Sequence, residues 1–198
     1  NNSILNSYFA IHISNTSYAV VRNNRIAGTP ASEQLTGNGI HLWKSNHATI
    51  ENNHVQGHRD GIYFEFVTES IILNNLSEKN IRYGLHFMFS NDDNYLQNTF
   101  RNNGAGVAVM YSKKVTMQGN RFEENWGPSA YGILLKDITD SYIQQNTFYK
   151  NTVGIHMEGS SRIEIQKNTF NANGWAIKVQ ASCDDNTFHH NNFTGNSF

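Results

Sequence analysis

The 198-residue chain is short of the residues that mark several protein classes. It has one cysteine, Cys183, which excludes an internal disulfide framework and any zinc site built from several thiolates. It has two prolines, and no apolar run reaches the roughly 18 residues of a membrane-spanning helix. Neither charge is in excess: 15 Lys and Arg stand against 16 Asp and Glu, a formal net charge of −1. With no Lys/Arg block either, nucleic acid and lipid surfaces are poor partners. What the chain has in quantity is asparagine, 29 residues, beside 12 Phe, 9 Tyr and 15 Gly. A mean hydropathy of −0.56 points toward disorder. Against that, 38 % hydrophobic and 12 % aromatic content does not fit a chain unable to collapse. The asparagines must be placed, not scattered.

A short string recurs. Gly39-Ile40-His41-Leu42 returns as Gly61-Ile62-Tyr63-Phe64, Gly84-Leu85-His86-Phe87, Gly106-Val107-Ala108-Val109, Gly132-Ile133-Leu134-Leu135 and Gly154-Ile155-His156-Met157. Ala10-Ile11-His12-Ile13 opens the series and Ala176-Ile177-Lys178-Val179 closes it. From Gly39 the steps are 22, 23, 22, 26, 22 and 22 residues. A ladder of Asn2, Asn24, Asn53, Asn75, Asn98, Asn120, Asn146, Asn168 and Asn191 keeps the same phase. An apolar residue follows most of these two places later, as in Asn98-Thr99-Phe100; Ser77 after Asn75 is the exception. Two ladders with one period indicate a repeat architecture.

Helical repeats are excluded because no segment sustains apolar residues at i, i+3, i+4 and i+7. Nine leucines are too few for leucine-rich repeats, whose Leu-x-x-Leu-x-Leu frame is absent. Short alternation remains: Ile40/Leu42, Ile62/Phe64, Leu85/Phe87 and Val107/Val109 read as strands of period 2. A second strand runs through Ile50, Ile72, Tyr95, Met117, Ile143, Ile165 and Phe188. A third carries Val55, Phe100, Phe122, Phe148, Phe170 and Phe193. Three short strands in about 22 residues make one coil of an all-β, right-handed parallel β-helix, a single domain over residues 1–198. Coils stack roughly 4.8 Å apart, so an Asn amide, donor and acceptor together, can bond the coils on both sides. Asn also tolerates left-handed backbone, and the string glycines are expected to serve the same turns. The Phe column is expected to form an interior stack.

The ladder stretches twice, to 29 residues around Ala27–Gln34 and to 26 around Asn125-Trp126-Gly127-Pro128-Ser129. Insertions in a solenoid become surface loops, often beside a binding face. With no starting Met, signal peptide or polar cap, the chain reads as a processed form or an excised fragment.

If Ile40 and Leu42 face inward, His41 and Trp43 face outward, and the repeat turns them into two columns. One reads His12, His41, Tyr63, His86, Ala108, Leu134, His156, Lys178; the next reads Trp43, Glu65, Met88, Met110, Lys136, Glu158, Gln180. Met88 and Met110 share a column position on adjacent coils, about 5 Å apart at the stem, with His86 two residues from Met88. Thioethers with an imidazole suit Cu(I) and suit Mg²⁺ or Ca²⁺ poorly. The plain alternative is an apolar patch under a partner or a loop. His41 and His156 read as surface histidines, and Cys183 as a small packed side chain. Arg59-Asp60 and Arg82 either clamp an anion or neutralise one another along the edge. A catalytic alternative has Asp60, Tyr63, Arg82, Tyr83 and His86 abstracting a proton beside a carboxylate, as polysaccharide lyases and epimerases on β-helices do.

Arg59-Asp60-Gly61-Ile62-Tyr63, Arg82-Tyr83-Gly84-Leu85-His86-Phe87-Met88 and Gly106-Val107-Ala108-Val109-Met110-Tyr111-Ser112 resemble the NosD family, over about Gly39 to Asn168. The general Gly-Ile-x-Leu and Asn-x-Phe repeat is shared more widely, among carbohydrate-binding and sugar-hydrolysing β-helices. The resemblance implies a periplasmic or otherwise exported accessory protein, not itself an enzyme, for maturation of nitrous oxide reductase. Its implied partners are an ABC transporter of permease and ATPase, a lipoprotein copper chaperone and the reductase. It favours copper, held transiently, at His86, Met88 and Met110, and a binding face of Arg59, Asp60, Tyr63, Glu65, Arg82 and Tyr83. Two other classes stay open: a carbohydrate-active β-helix (lyase, epimerase or sugar-binding module) and a structural or adhesive rod. The family's proteins are longer than this chain, and the insertion at Trp126-Gly127-Pro128 finds no match in its pattern.

Overall fold

A computed structural model describes residues 1–198, all of it strands, bridges and turns. The 25 strands form three sheets of nine, eight and eight members, in which successive coils pair in parallel. The chain visits the sheets in rotation, so each coil gives one strand to each. The ladder sheet runs from Ser3–Leu5 to Asn192–Thr194, and the wall sheet from Ile11–Ser14 to Trp175–Val179. The third sheet runs from Val20–Arg22 to Thr187–His189. No helix is long and apolar enough to cross a membrane.

Register follows the period. His41 pairs with Tyr63, Tyr63 with His86, and Met88 with Met110. Inward residues from all three sheets form a core of 31 buried side chains along the rod. Within it Phe100, Phe122, Phe148 and Phe170 stack with centroids 5.5, 4.8 and 4.7 Å apart, the interior column the spacing implies, and the exposed Phe193 ends the stack 5.1 Å from Phe170.

The asparagine ladder is continuous. The Asn98 backbone N–H and side-chain amide both donate to Asn120 Oδ1, at 2.9 and 3.1 Å, and the amide also donates to the Ile72 carbonyl at 2.8 Å. Each buried Asn of the ladder therefore meets its hydrogen-bonding demand through neighbouring coils, which leaves the solenoid specific as well as stable. A second ladder of Asn80, Asn103, Asn125, Asn151, Asn173 and Asn196 does the same at the next corner.

Two expectations about turns are corrected. At the ladder corner the left-handed residues are those just before the ladder asparagines, such as Asn52 (φ 55°), Asn74 (φ 53°) and Gln97 (φ 55°), and not the ladder members themselves. The string glycines lack positive φ and serve close approach instead: a Cβ on Gly106 would lie 2.5 Å from the Gly132 carbonyl oxygen. That same Cβ would sit 3.3 Å from the Phe122 ring, so the glycine column makes room for the phenylalanine stack. Where Ser77 replaces Phe, its hydroxyl donates to the Gly84 carbonyl at 2.7 Å and accepts from Asn80.

Both insertions, between Arg25–Ala27 and Ile40–Trp43 and between Arg121–Glu123 and Tyr131–Lys136, leave the ladder sheet and enter the wall sheet. They flank one edge of the wall, with three short-turned coils between them. Cys183 packs against the core as expected, and its Sγ accepts the Ser160 N–H at 3.4 Å, as Ser112 Oγ accepts that of Ser90 at 3.1 Å.

Candidate functional site

Strands Asp60–Glu65, Tyr83–Met88 and Ala105–Met110 lie side by side in the wall and carry seven of the nine candidate residues. Arg59 and Arg82 stand at its edge, each just before a strand. Alternation aims Tyr63, Glu65, His86, Met88 and Met110 outward, opposite the core residues Ile62, Phe64, Leu85, Phe87, Val107 and Val109.

Outward does not mean exposed. His12, His41, Tyr63 and His86 form a column of rings with successive centroids 4.8 Å apart, and Tyr83 sits 4.8 Å from His86 on another side. His86 is left 3 % exposed. The expectation of surface histidines fails at two positions. His41 is half-buried with both ring nitrogens unpartnered; desolvation, then the charges of His12 and Arg59, push it down to about 4. His156 is 6 % exposed, shielded by Tyr131 at 4.9 Å, and burial lowers it too. Both imidazoles are neutral at physiological pH. Burial, reinforced by the Glu65 and Asp60 charges, raises the Tyr63 phenol to about 12, so it is a hydrogen-bond donor.

Beneath this column is a knot of polar groups. The Asp60 side chain is fully buried, its Oδ2 3.4 Å from Arg59 Nε and 3.6 Å from His86 Nδ1. Neither contact is a hydrogen bond, so both Asp60 oxygens and both His86 nitrogens are unpartnered. Orphaned polar atoms at this depth are uncommon in stable folds and mark a strained or functional site. Arg59 also donates to Asn38 Oδ1 at 3.1 Å, a contact that sequence reasoning missed. The two arginines do not act as one clamp: Arg59 is committed to Asp60 and Asn38, whereas Arg82 lies over the Tyr83 ring at 4.7 Å.

Met88 and Met110 are register partners, both partly exposed, and the Tyr63 hydroxyl donates to Met88 Sδ at 3.6 Å. The next column holds Phe66, Phe89 and Tyr111, stacked at 5.1 and 5.1 Å and 44, 39 and 43 % exposed. All three take left-handed backbone (φ 54°, 51° and 53°), where other coils have Asn15, Lys44, Asp137 and Gly159. Bulky residues are disfavoured there, so the turn alone does not account for these rings. Their column was readable from the period.

The insertions complete the edge. Glu33 from one and Trp126, Pro128 and Ser129 from the other line a cleft of about 400 Å³ over Arg82 and Tyr83. No group of three or more His, Cys, Asp or Glu side chains is arranged to hold a metal ion.

Comparison with known proteins separates fold from kinship. The periplasmic alginate epimerase AlgG superposes with a TM-score of 0.81 at 16 % identity, over 96 % of this chain and 49 % of its own. The A-module of the Azotobacter vinelandii mannuronan C-5 epimerase AlgE6 gives 0.66 at 15 %, over 93 % and 54 %. The enzymatically active domain of tailspike protein 2 from bacteriophage CBA120 gives 0.71 at 13 %, over 96 % and 34 %. Such identities establish the parallel β-helix alone, and the chain spans about half the length of either epimerase or less of the tailspike. No curated protein matches in sequence. Residues 28–198, taking in both insertions, the Asp60–His86 knot and the methionine pair, match the family of the periplasmic copper-binding protein NosD, and the chain belongs to that family.

Proposed function

We propose that this protein is an exported accessory factor, not an enzyme, that handles copper transiently during maturation of nitrous oxide reductase. In this reading Cu(I) is cargo, held by Met88 and Met110 with His86. The observation that carries it is the register pairing of two thioethers beside an imidazole whose nitrogens have no protein partner. That donor set is soft and suits Cu(I). The partners we propose are an ABC transporter of permease and ATPase, a lipoprotein copper chaperone and the reductase. The exposed rings of Phe66, Phe89 and Tyr111 beside the methionines support docking at this wall. Competition against a Cu(I) chelator tests the site. The Met88→Ala/Met110→Ala double variant should lose affinity by at least roughly tenfold, and unchanged binding sinks the copper assignment. Both side chains are partly exposed, so the variant keeps its fold.

A second reading is favoured by one observation, the buried Asp60 carboxyl 3.6 Å from His86 and flanked by arginine. There Asp60, Arg82 and His86 would work on a polysaccharide as a lyase or epimerase, with proton transfer at a carbon next to a carboxylate. Incubation with uronate polysaccharides should then yield an unsaturated or epimerised product, and inertness across that set removes the reading.

A further inference from the structure

The proposed copper site does not use the cleft between the two insertions. Five of the seven arginines are ion-paired: Arg22, Arg59, Arg101, Arg121 and Arg162. Arg25 is exposed on an early coil, which leaves Arg82 as the one half-buried guanidinium without an ion pair. Tyr83 packs against it, with the guanidinium carbon 4.7 Å from the ring centre, and no carboxylate neutralises it. A guanidinium without a carboxylate partner matches the two oxygens of a carboxylate ligand. Trp126, 64 % exposed, stands on the same cleft and offers a flat apolar surface to the body of a ligand. Behind Tyr83, Asp60 (0 % exposed) and His86 (3 %) retain unpartnered polar atoms.

We propose that this cleft binds a sugar acid, with its carboxylate on Arg82 and its ring against Trp126. Glu33 and Ser129 share the lining and complement hydroxyl groups. An acidic peptide would also reach Arg82, but a glutamate side chain has no ring face to lay against Trp126. The site shares Arg82 with the second reading above, yet it requires no turnover, and the test reads binding alone.

The test titrates the whole chain with an oligoglucuronate by calorimetry, with its methyl ester and a glutamate-rich peptide run in parallel. Saturable binding of the acid is expected, weakened roughly 10- to 100-fold by esterification and similarly by Arg82→Met. Trp126→Ala, on an exposed loop, should weaken binding without changing the circular dichroism spectrum. Failure of the acid to bind, equal binding of the ester, or preference for the peptide each overturns the proposal. The ester comparison uses the unaltered protein, so a variant that misfolds cannot imitate the expected result.

Discussion

Phe122→Ala is expected to destabilise the rod by about 4 kcal/mol, against less than about 1 kcal/mol for Phe193→Ala. The chemistry removed is identical; the surroundings are not. Phe122 is fully buried between Phe100 and Phe148, with centroids at 5.5 and 4.8 Å, and its ring edge lies over Gly106. Its loss leaves a ring-sized void that neighbours locked into parallel strands cannot fill. Phe193 ends the same stack, 52 % exposed, with only Phe170 against it at 5.1 Å. Because each coil of a solenoid touches only its neighbours, the loss at Phe122 should also appear locally. Amide exchange should quicken in the flanking coils before the outer ones. Denaturant unfolding checks the magnitude. Equal destabilisation by the two substitutions would mean that the stack does not carry the core.

The phenylalanine column was legible in the sequence, and so was most of the frame; the exposure of Phe193 at its end was not. In a solenoid the period is the register, so the columns containing His86, Met88 and Phe122 follow from counting residues. The second asparagine ladder is equally countable, five residues after Asn75 and its successors. What the period does not carry is coverage. His41, His86 and His156 occupy an outward column, and only the packing of Tyr63, Tyr83 and Tyr131 shows that their rings are shielded. The role of the glycines was misassigned for a related reason. Backbone approach between coils is a property of the stack, and one coil's sequence reads as a turn. The course of the insertions is not periodic, so their shared corner was countable while the cleft over Arg82 was not.

Asp93→Asn is expected to stabilise the protein by several kcal/mol at pH 8.5 and by almost nothing near pH 4. Asp93 is fully buried at a position taken by Ala48 and Ser70 in the preceding coils. Its Oδ1 accepts the Ser70 N–H at 2.8 Å, while Oδ2 has no partner and the buried Tyr95 hydroxyl two residues on has none either. Desolvation raises the carboxyl from 3.8 to about 8; the Ser70 amide opposes the shift, and the charges of Asp92 and Glu69 add to it. Below about pH 4 both folded and unfolded chains are protonated here, and the group is neutral toward stability. Between about pH 4 and 8 the unfolded chain releases the proton and the folded one keeps it. Stability therefore falls as pH rises, by up to about 1.4 kcal/mol per unit. Above about 8 the loss is complete and constant. Asparagine retains an oxygen for the Ser70 amide and removes the titration. The difference between variant and parent, measured by denaturant unfolding at several pH values, should thus open steadily from pH 4 and level off above 8. Two parallel stability curves would show that Asp93 ionises in place, and that the interior of this coil is more polar than its packing implies.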